Sequence, residues 1–108
     1  MSQEVRDAVA MLEGWTKSAE WPTAWDKGDY TEHWHPIADD LTACAKAWDE
    51  QARSKGWTWQ RRDQDWFAFN GGSETEYAYT KNSGTDAASE LRDRWELLGL
   101  VLKARGVV

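Results

Sequence analysis

Apolar side chains recur at helical spacing in three stretches of this chain and alternate with polar ones in a fourth. From Ser2 to Glu20, Val5, Ala8, Val9, Leu12, Trp15 and Ala19 share one helical face. Ser2 is placed to cap that helix, Glu4 lies in the first turn where the helix dipole favours an anion, and Pro22 closes it by disfavouring helical geometry at Trp21. A second helix opens at His35-Pro36 and runs to Lys55. Its stripe is Ile37, Leu41, Cys44, Ala45, Trp48 and Ala52, and Gly56 is set to take the left-handed cap. The last helix spans Asp86 to Ala104, with Thr85 or Ser83 as cap. Ala88, Leu91, Trp95, Leu98 and Leu102 form its stripe. Leu97, Leu100 and Val101 widen that stripe almost around the helix, the mark of a central helix or of one that meets a partner.

Between the second and last helices the period changes to two. Trp57-Thr58-Trp59-Gln60-Arg61, Trp66-Phe67-Ala68-Phe69 and Glu76-Tyr77-Ala78-Tyr79-Thr80 each alternate, separated by Arg62–Asp65 and Asn70–Ser73. This predicts an antiparallel meander. Burying large aromatics contributes roughly 2 kcal/mol each. The expected register therefore gathers Trp57, Trp59, Phe67, Phe69, Tyr77 and Tyr79 on one face, pairing Trp59 with Phe67 and Phe69 with Tyr77 across loops of odd length. The other face then shows Thr58, Gln60, Arg62, Trp66, Ala68, Asn70, Glu76, Ala78 and Thr80. A two-residue Asn70-Gly71 turn pairing Phe69 with Gly72 is the rival.

Residues 21–35 are less regular. Pro22 suits the start of one helical turn carrying Thr23, Ala24 and Trp25 and stopped by Gly28, with Trp21 and Trp25 stacked one turn apart. A segment this aromatic is expected to lie over the core as a lid. The expected fold is thus α+β: a three-stranded antiparallel β-meander with helices packed on one face, order α-α-β-β-β-α, in a single domain over residues 1–108.

Composition narrows the function classes. The 108 residues carry 19 acidic and 13 basic side chains, a formal −6. Residues 1–50 hold 11 acids and 4 bases, so the first half carries −7 and repels polyanions. Cys44 is the only cysteine, which excludes an intramolecular disulfide and a cysteine-based zinc site. The charged N-terminus has no signal-peptide core, and the longest apolar run, Leu97 to Leu102, is far below the roughly 20 residues of a bilayer span. The expectation is a cytoplasmic protein without membrane association. Cys44 falls in a helical stripe and reads as a small buried thiol.

No nucleophile elbow, phosphate-binding glycine loop or dinucleotide fingerprint is present. The acid pairs Asp39/Asp40, Asp49/Glu50 and Asp63/Asp65 sit at a helix start, on a helix and in a turn, where carboxylates are favourable without chemistry. His33 and His35, with Asp39 nearby, are the one candidate metal constellation and the seed of a metal-dependent enzyme; the default is no cofactor. The aromatic strands followed by Arg61 and Arg62 suggest a second use, stacking single-stranded bases.

Nine tryptophans exceed what the predicted core faces absorb. Trp15, Trp48, Trp57, Trp59 and Trp95 fit those faces; Trp21, Trp25, Trp34 and Trp66 do not. Because tryptophan is enriched at protein interfaces, the leading expectation is a non-enzymatic module that binds a partner protein through Trp21, Trp25, Tyr30, Trp34 and Trp66. In size, acidity and lack of catalytic motifs the chain is similar to small accessory or inhibitor proteins of bacteria and phages, a likeness of composition that covers no motif. It is expected to be a monomer, or a homodimer joined along Leu97–Leu102.

Overall fold

Helix α1 covers Ser2–Leu12, not the longer span to Glu20. Gly14 stops it with φ of 96°, a conformation that disfavours any side chain, and Trp15 N–H turns back to the Ala10 carbonyl at 3.0 Å. A local cap therefore overrides the continued apolar spacing, and Ala19 ends up exposed. The structure, a computed structural model, describes residues 2–71 and 73–107, with the side chains of all of these but Ser2 and residues 73–76. The expected Ser2 cap and the placement of Glu76 lie outside the described side chains.

After α1 come three short strands that the sequence pattern does not announce: β1 (Thr16–Lys17), β2 (Trp25–Lys27) and β3 (Tyr30–Glu32), antiparallel in the order β1-β2-β3. Pro22 does initiate a single turn, in which Ala24 N–H donates to the Trp21 carbonyl, but no helix follows. Lys27 pairs with Tyr30 across a two-residue Gly28-Asp29 turn, and Gly28 takes a positive φ of 61°. Trp21 and Trp25 do not stack on each other; their rings meet His33 and His35 respectively.

Helix α2 (Leu41–Lys55) begins later than Pro36. Asp40 is its cap, accepting from Ala43 N–H at 2.8 Å, and Gly56 closes it in the left-handed conformation. Its buried residues are Cys44, Ala47, Trp48 and Gln51, whereas Leu41, Ala45 and Ala52 are exposed, so the face is turned from the expected stripe. Helix α3 (Ala87–Ala104) is capped by Asp86, which accepts from Ser89 N–H at 2.7 Å. It is the central element, packed on α1, α2 and the sheet. Leu97, Leu98, Val101 and Leu102 are fully buried inside the chain, and Gly99 and Leu100 are half-buried. Gly99 lets α1 approach: a Cβ there would stand 2.7 Å from Val5 Cγ2.

The second sheet is the expected meander, β4 (Trp57–Arg62), β5 (Asp65–Asn70) and β6 (Ser73–Thr80). The overall class is α+β, but the order is α-β-β-β-α-β-β-β-α rather than α-α-β-β-β-α. Its first register departs from expectation. Asp63 and Gln64, both at positive φ, make a two-residue turn that pairs Arg62 with Asp65 and Trp59 with Ala68, not with Phe67. Between β5 and β6 the expected Phe69–Tyr77 pair forms. Asn70 pairs with Ser73, with a register shift between Phe69 and Asn70, so the rival pairing of Phe69 with Gly72 does not form.

The six aromatics are therefore split between faces. Trp57, Trp59, Trp66, Ala68, Ala78 and Thr80 face the helices, while Phe67, Phe69, Tyr77 and Tyr79 lie on the opposite face with Thr58, Gln60 and Arg62. The reason is volume. Helix α3 packs on β5 and β6, whose helix-facing positions include the buried Ala68 and Ala78, and a phenyl ring at either would need volume that the packed core lacks. The shortest axis of the molecule is 19 Å, room for one layer of helix on one layer of sheet. On the second aromatic face Phe69 is buried and Phe67 half-buried beneath their neighbours, while Tyr77 and Tyr79 are exposed.

The register makes Ala68 a position without spare volume. Ala68→Leu is expected to lower stability by about 1–3 kcal/mol in urea unfolding, by overpacking. Thr58→Val on the outer face should stay within about 0.5 kcal/mol. In the register with all six aromatics inward, Ala68 would lie on the outer face and Ala68→Leu would also stay within about 0.5 kcal/mol.

Candidate functional site

The segment from Trp15 to His35 carries an unusual surface. Trp34 is 80% exposed, Tyr30 58% and Trp21 56%. The Tyr30 hydroxyl, the Trp21 ring and the Trp34 backbone nevertheless have partners. The Glu32 carboxylate accepts from the Tyr30 hydroxyl at 2.8 Å through one oxygen and from Trp34 N–H at 3.3 Å through the other. The bond from Tyr30 holds Glu32 below the usual carboxylate range and raises the Tyr30 phenol. Trp21 meets His33 edge-on at 6.0 Å, and Tyr30 meets Trp15 edge-on at 6.1 Å. Glu20, Asp26, Asp29 and Glu32 against Lys17 and Lys27 give the stretch a net −2.

Two of the five proposed contact residues belong to the interior. Trp25 is 4% exposed and Trp66 5%, so neither can reach a partner surface. Trp25 is sealed by Lys17, 5.7 Å above its ring, and by His35 at 5.1 Å. Trp66 ends a stack in which Trp48 lies 5.3 Å from Trp59 and Trp59 lies 5.1 Å from Trp66, with the Arg94 guanidinium over the last two. Alternation along β4 and β5 carries a signal for the burial of Trp66, since it shares a face with Ala68. That of Trp25 carries none, because β2 is only three residues long.

The histidines are committed elsewhere. His35 Nδ1 accepts from Ile37 N–H at 3.0 Å, which makes Nε2 the donor to Asp7 Oδ1 at 2.7 Å. Lys17 completes this small network at 3.3 Å from the other Asp7 oxygen. Burial pulls the Asp7 carboxyl up, but the bonds and charges of His35 and Lys17 outweigh it and hold the group below its ordinary value. His33 is exposed against Trp21, and Asp39 is exposed at the approach to α2. The expected His33, His35 and Asp39 set does not converge, and among the described residues no group of three His, Cys, Asp or Glu side chains could hold a metal ion.

The chain matches no protein-family model, no curated protein and no solved structure. The surfaces themselves carry the functional argument.

The second surface is the outer face of the meander. Phe67 and Phe69 lie nearly parallel with centroids 6.0 Å apart, Tyr79 is 4.9 Å from Phe67, and Tyr77 is 6.1 Å from Phe69. Tyr77 and Tyr79 are exposed, and the Tyr79 hydroxyl donates to Asp65 at 3.1 Å, which raises the phenol. Arg62 stands over the Phe69 ring at 4.7 Å. Arg61 is turned to the opposite face, over Trp66 at 5.0 Å, so the two arginines do not act on one surface. This exposed aromatic face is the feature that sequence reasoning placed in the core.

Cys44 lies fully buried beneath α3, and burial pushes its thiol up to about 12. Its reaction with an aromatic disulfide reagent at pH 8 is expected to be undetectable in native buffer and immediate in denaturant; rapid native labelling would contradict this packing. Asp7 has a depressed folded pKa, so its contribution is present above the unfolded value of 3.8 and disappears as pH falls through the lower folded value. Asp7→Asn is therefore expected to cost about 1 kcal/mol at neutral pH. The gap to the parent chain should close only below pH 3.8, as acid-dependent unfolding would reveal.

Proposed function

We propose that this chain is a protein-interaction module that docks a partner of basic surface character through Trp21, Tyr30 and Trp34. The observation that carries this reading is the 80% exposure of Trp34, beside the exposed Trp21 and Tyr30. Leaving an indole in water is unfavourable by roughly the free energy its burial would contribute, on the order of 2 kcal/mol. A docked partner recovers it. Glu32 adds pre-organisation by tying the Tyr30 ring to the Trp34 backbone before any partner arrives. The acidic side chains between these rings select a basic counter-surface and speed its encounter. The absence of a recognisable catalytic constellation in the sequence favours binding over chemistry, in the manner of an accessory or inhibitor protein.

A second reading is supported by the outer sheet face. The exposed Tyr77 and Tyr79 beside the half-buried Phe67 form the kind of aromatic surface on which single-stranded bases stack. The overall charge of −6 opposes it, so it ranks below protein docking.

The two readings separate by variant. Trp34→Ala and Trp21→Ala are expected to leave stability within about 0.5 kcal/mol. Each should abolish retention of a partner that the parent chain captures from extract, at low salt more strongly than at high salt. Retention unchanged in both variants would refute the docking surface. Tyr77→Ala and Tyr79→Ala should leave that capture intact. A labelled oligo(dT) whose anisotropy rises with the parent chain and not with Tyr77→Ala would transfer the function to the sheet face.

A further inference from the structure

A cleft of about 550 Å³ lies between α1, α2, β2 and the end of α3. Ligand pockets commonly span roughly 300–1,000 Å³. Its floor is apolar: Val9 and Ala47 are buried there, and Leu12 stands half in water at its lip. Its walls carry Lys27, Lys46, Arg53, Lys55 and Arg105 against only Glu13 and Glu50, a local +3 in a chain of formal charge −6.

The helix dipole accounts for Arg53 and Lys55 in the last turn of α2. It does not account for Lys46 in mid-helix, Lys27 from β2 or Arg105 from the end of α3, which three separate elements bring to the same opening. Among the described residues none of the five has a carboxylate within 4.0 Å. Two of them are nevertheless held in place. Lys27 Nζ rests over the Trp15 ring at 5.5 Å. Arg105 Nη1 donates to the side-chain oxygen of Gln51, a buried residue on the cleft wall, at 2.5 Å. Five cations facing two carboxylates leave a local excess of positive charge, and an anion entering the cleft relieves that excess.

We propose that this cleft binds a small amphiphilic anion, a carboxylate or phosphate monoester whose apolar body covers Val9, Leu12 and Ala47. The cations act as a group on the headgroup, with Arg105 offering the planar donors suited to a carboxylate or phosphate. The site is separate from the aromatic docking surface and stands whether or not that surface binds a partner.

The test titrates the whole chain with hexanoate, hexyl phosphate and hexanol, followed by backbone amide shifts. Saturable shifts centred on Leu12, Ala47 and Gln51 are expected with at least one anion, with a Kd of about 1 mM or tighter. The anion that binds more tightly identifies the headgroup class. Hexanol should produce no saturable change. Lys46→Glu and Arg53→Glu, both exposed positions, should each weaken anion binding at least about tenfold, equal to 1.4 kcal/mol. Lys81→Glu, outside the cleft, should not. Absence of saturation with both anions, an equal response to hexanol, or unchanged binding in both cleft variants would overturn the proposal.

Discussion

The fold depends on one stack of rings. Trp48 from α2, Trp59 from β4 and Trp66 from β5 lie ring on ring at 5.3 and 5.1 Å. Arg94 from α3 binds the assembly from both of its ends. Its guanidinium lies 4.7 Å over Trp59 and 5.3 Å over Trp66, and its backbone carbonyl accepts from Trp48 Nε1 at 3.3 Å. Each ring pair adds roughly 0.5–1.5 kcal/mol beyond its buried area, and a desolvated cation–π contact about 2 kcal/mol. Four elements are thereby fastened at one place. The Glu90 carboxylate, 2.8 Å from Arg94, places the cation on the rings.

The rest of the sheet follows from that stack. Once Trp59 and Trp66 point toward the helices, alternation sends Phe67 and Phe69 away from them, and the pairing with β6 sends Tyr77 and Tyr79 with them. The exposed aromatic face is therefore a consequence of core packing as much as a candidate surface. The same constraint does not reach the β1-β2-β3 sheet. There Trp25 and Ala24 are buried against the body of the protein, and Trp21, Tyr30 and Trp34 remain outside. That difference is why the docking reading rests on the small sheet and not on the large one.

Charge is distributed by region as well. The aromatic hairpin is acidic, the cleft under α2 is basic, and Asp7, His35 and Lys17 form a balanced network between them. A chain with net −6 that keeps five cations around one apolar-floored opening has separated its charges in space.

Periodicity alone determined the three helices, the three long strands and the central place of α3, because each is long enough for its spacing to stand out. Residue type located the Gly56 cap and periodicity the thiol of Cys44 inside a stripe, whereas Asp86 takes the cap expected of Thr85 or Ser83. Periodicity had no hold on β1, β2 and β3, since two or three residues cannot display a period. The Gly28-Asp29 turn was the one available sign of that hairpin. Which face of the meander is buried was left to tertiary structure. Both faces carry aromatics, so hydrophobicity does not choose between them. The choice fell to the space beneath α3, where alanines fit and rings do not, and with it went the fate of Trp25, Trp66, Tyr77 and Tyr79. The basic cleft was invisible for a related reason: its five cations are dispersed over residues 27 to 105 and meet only when α1, α2, α3 and β2 are packed together.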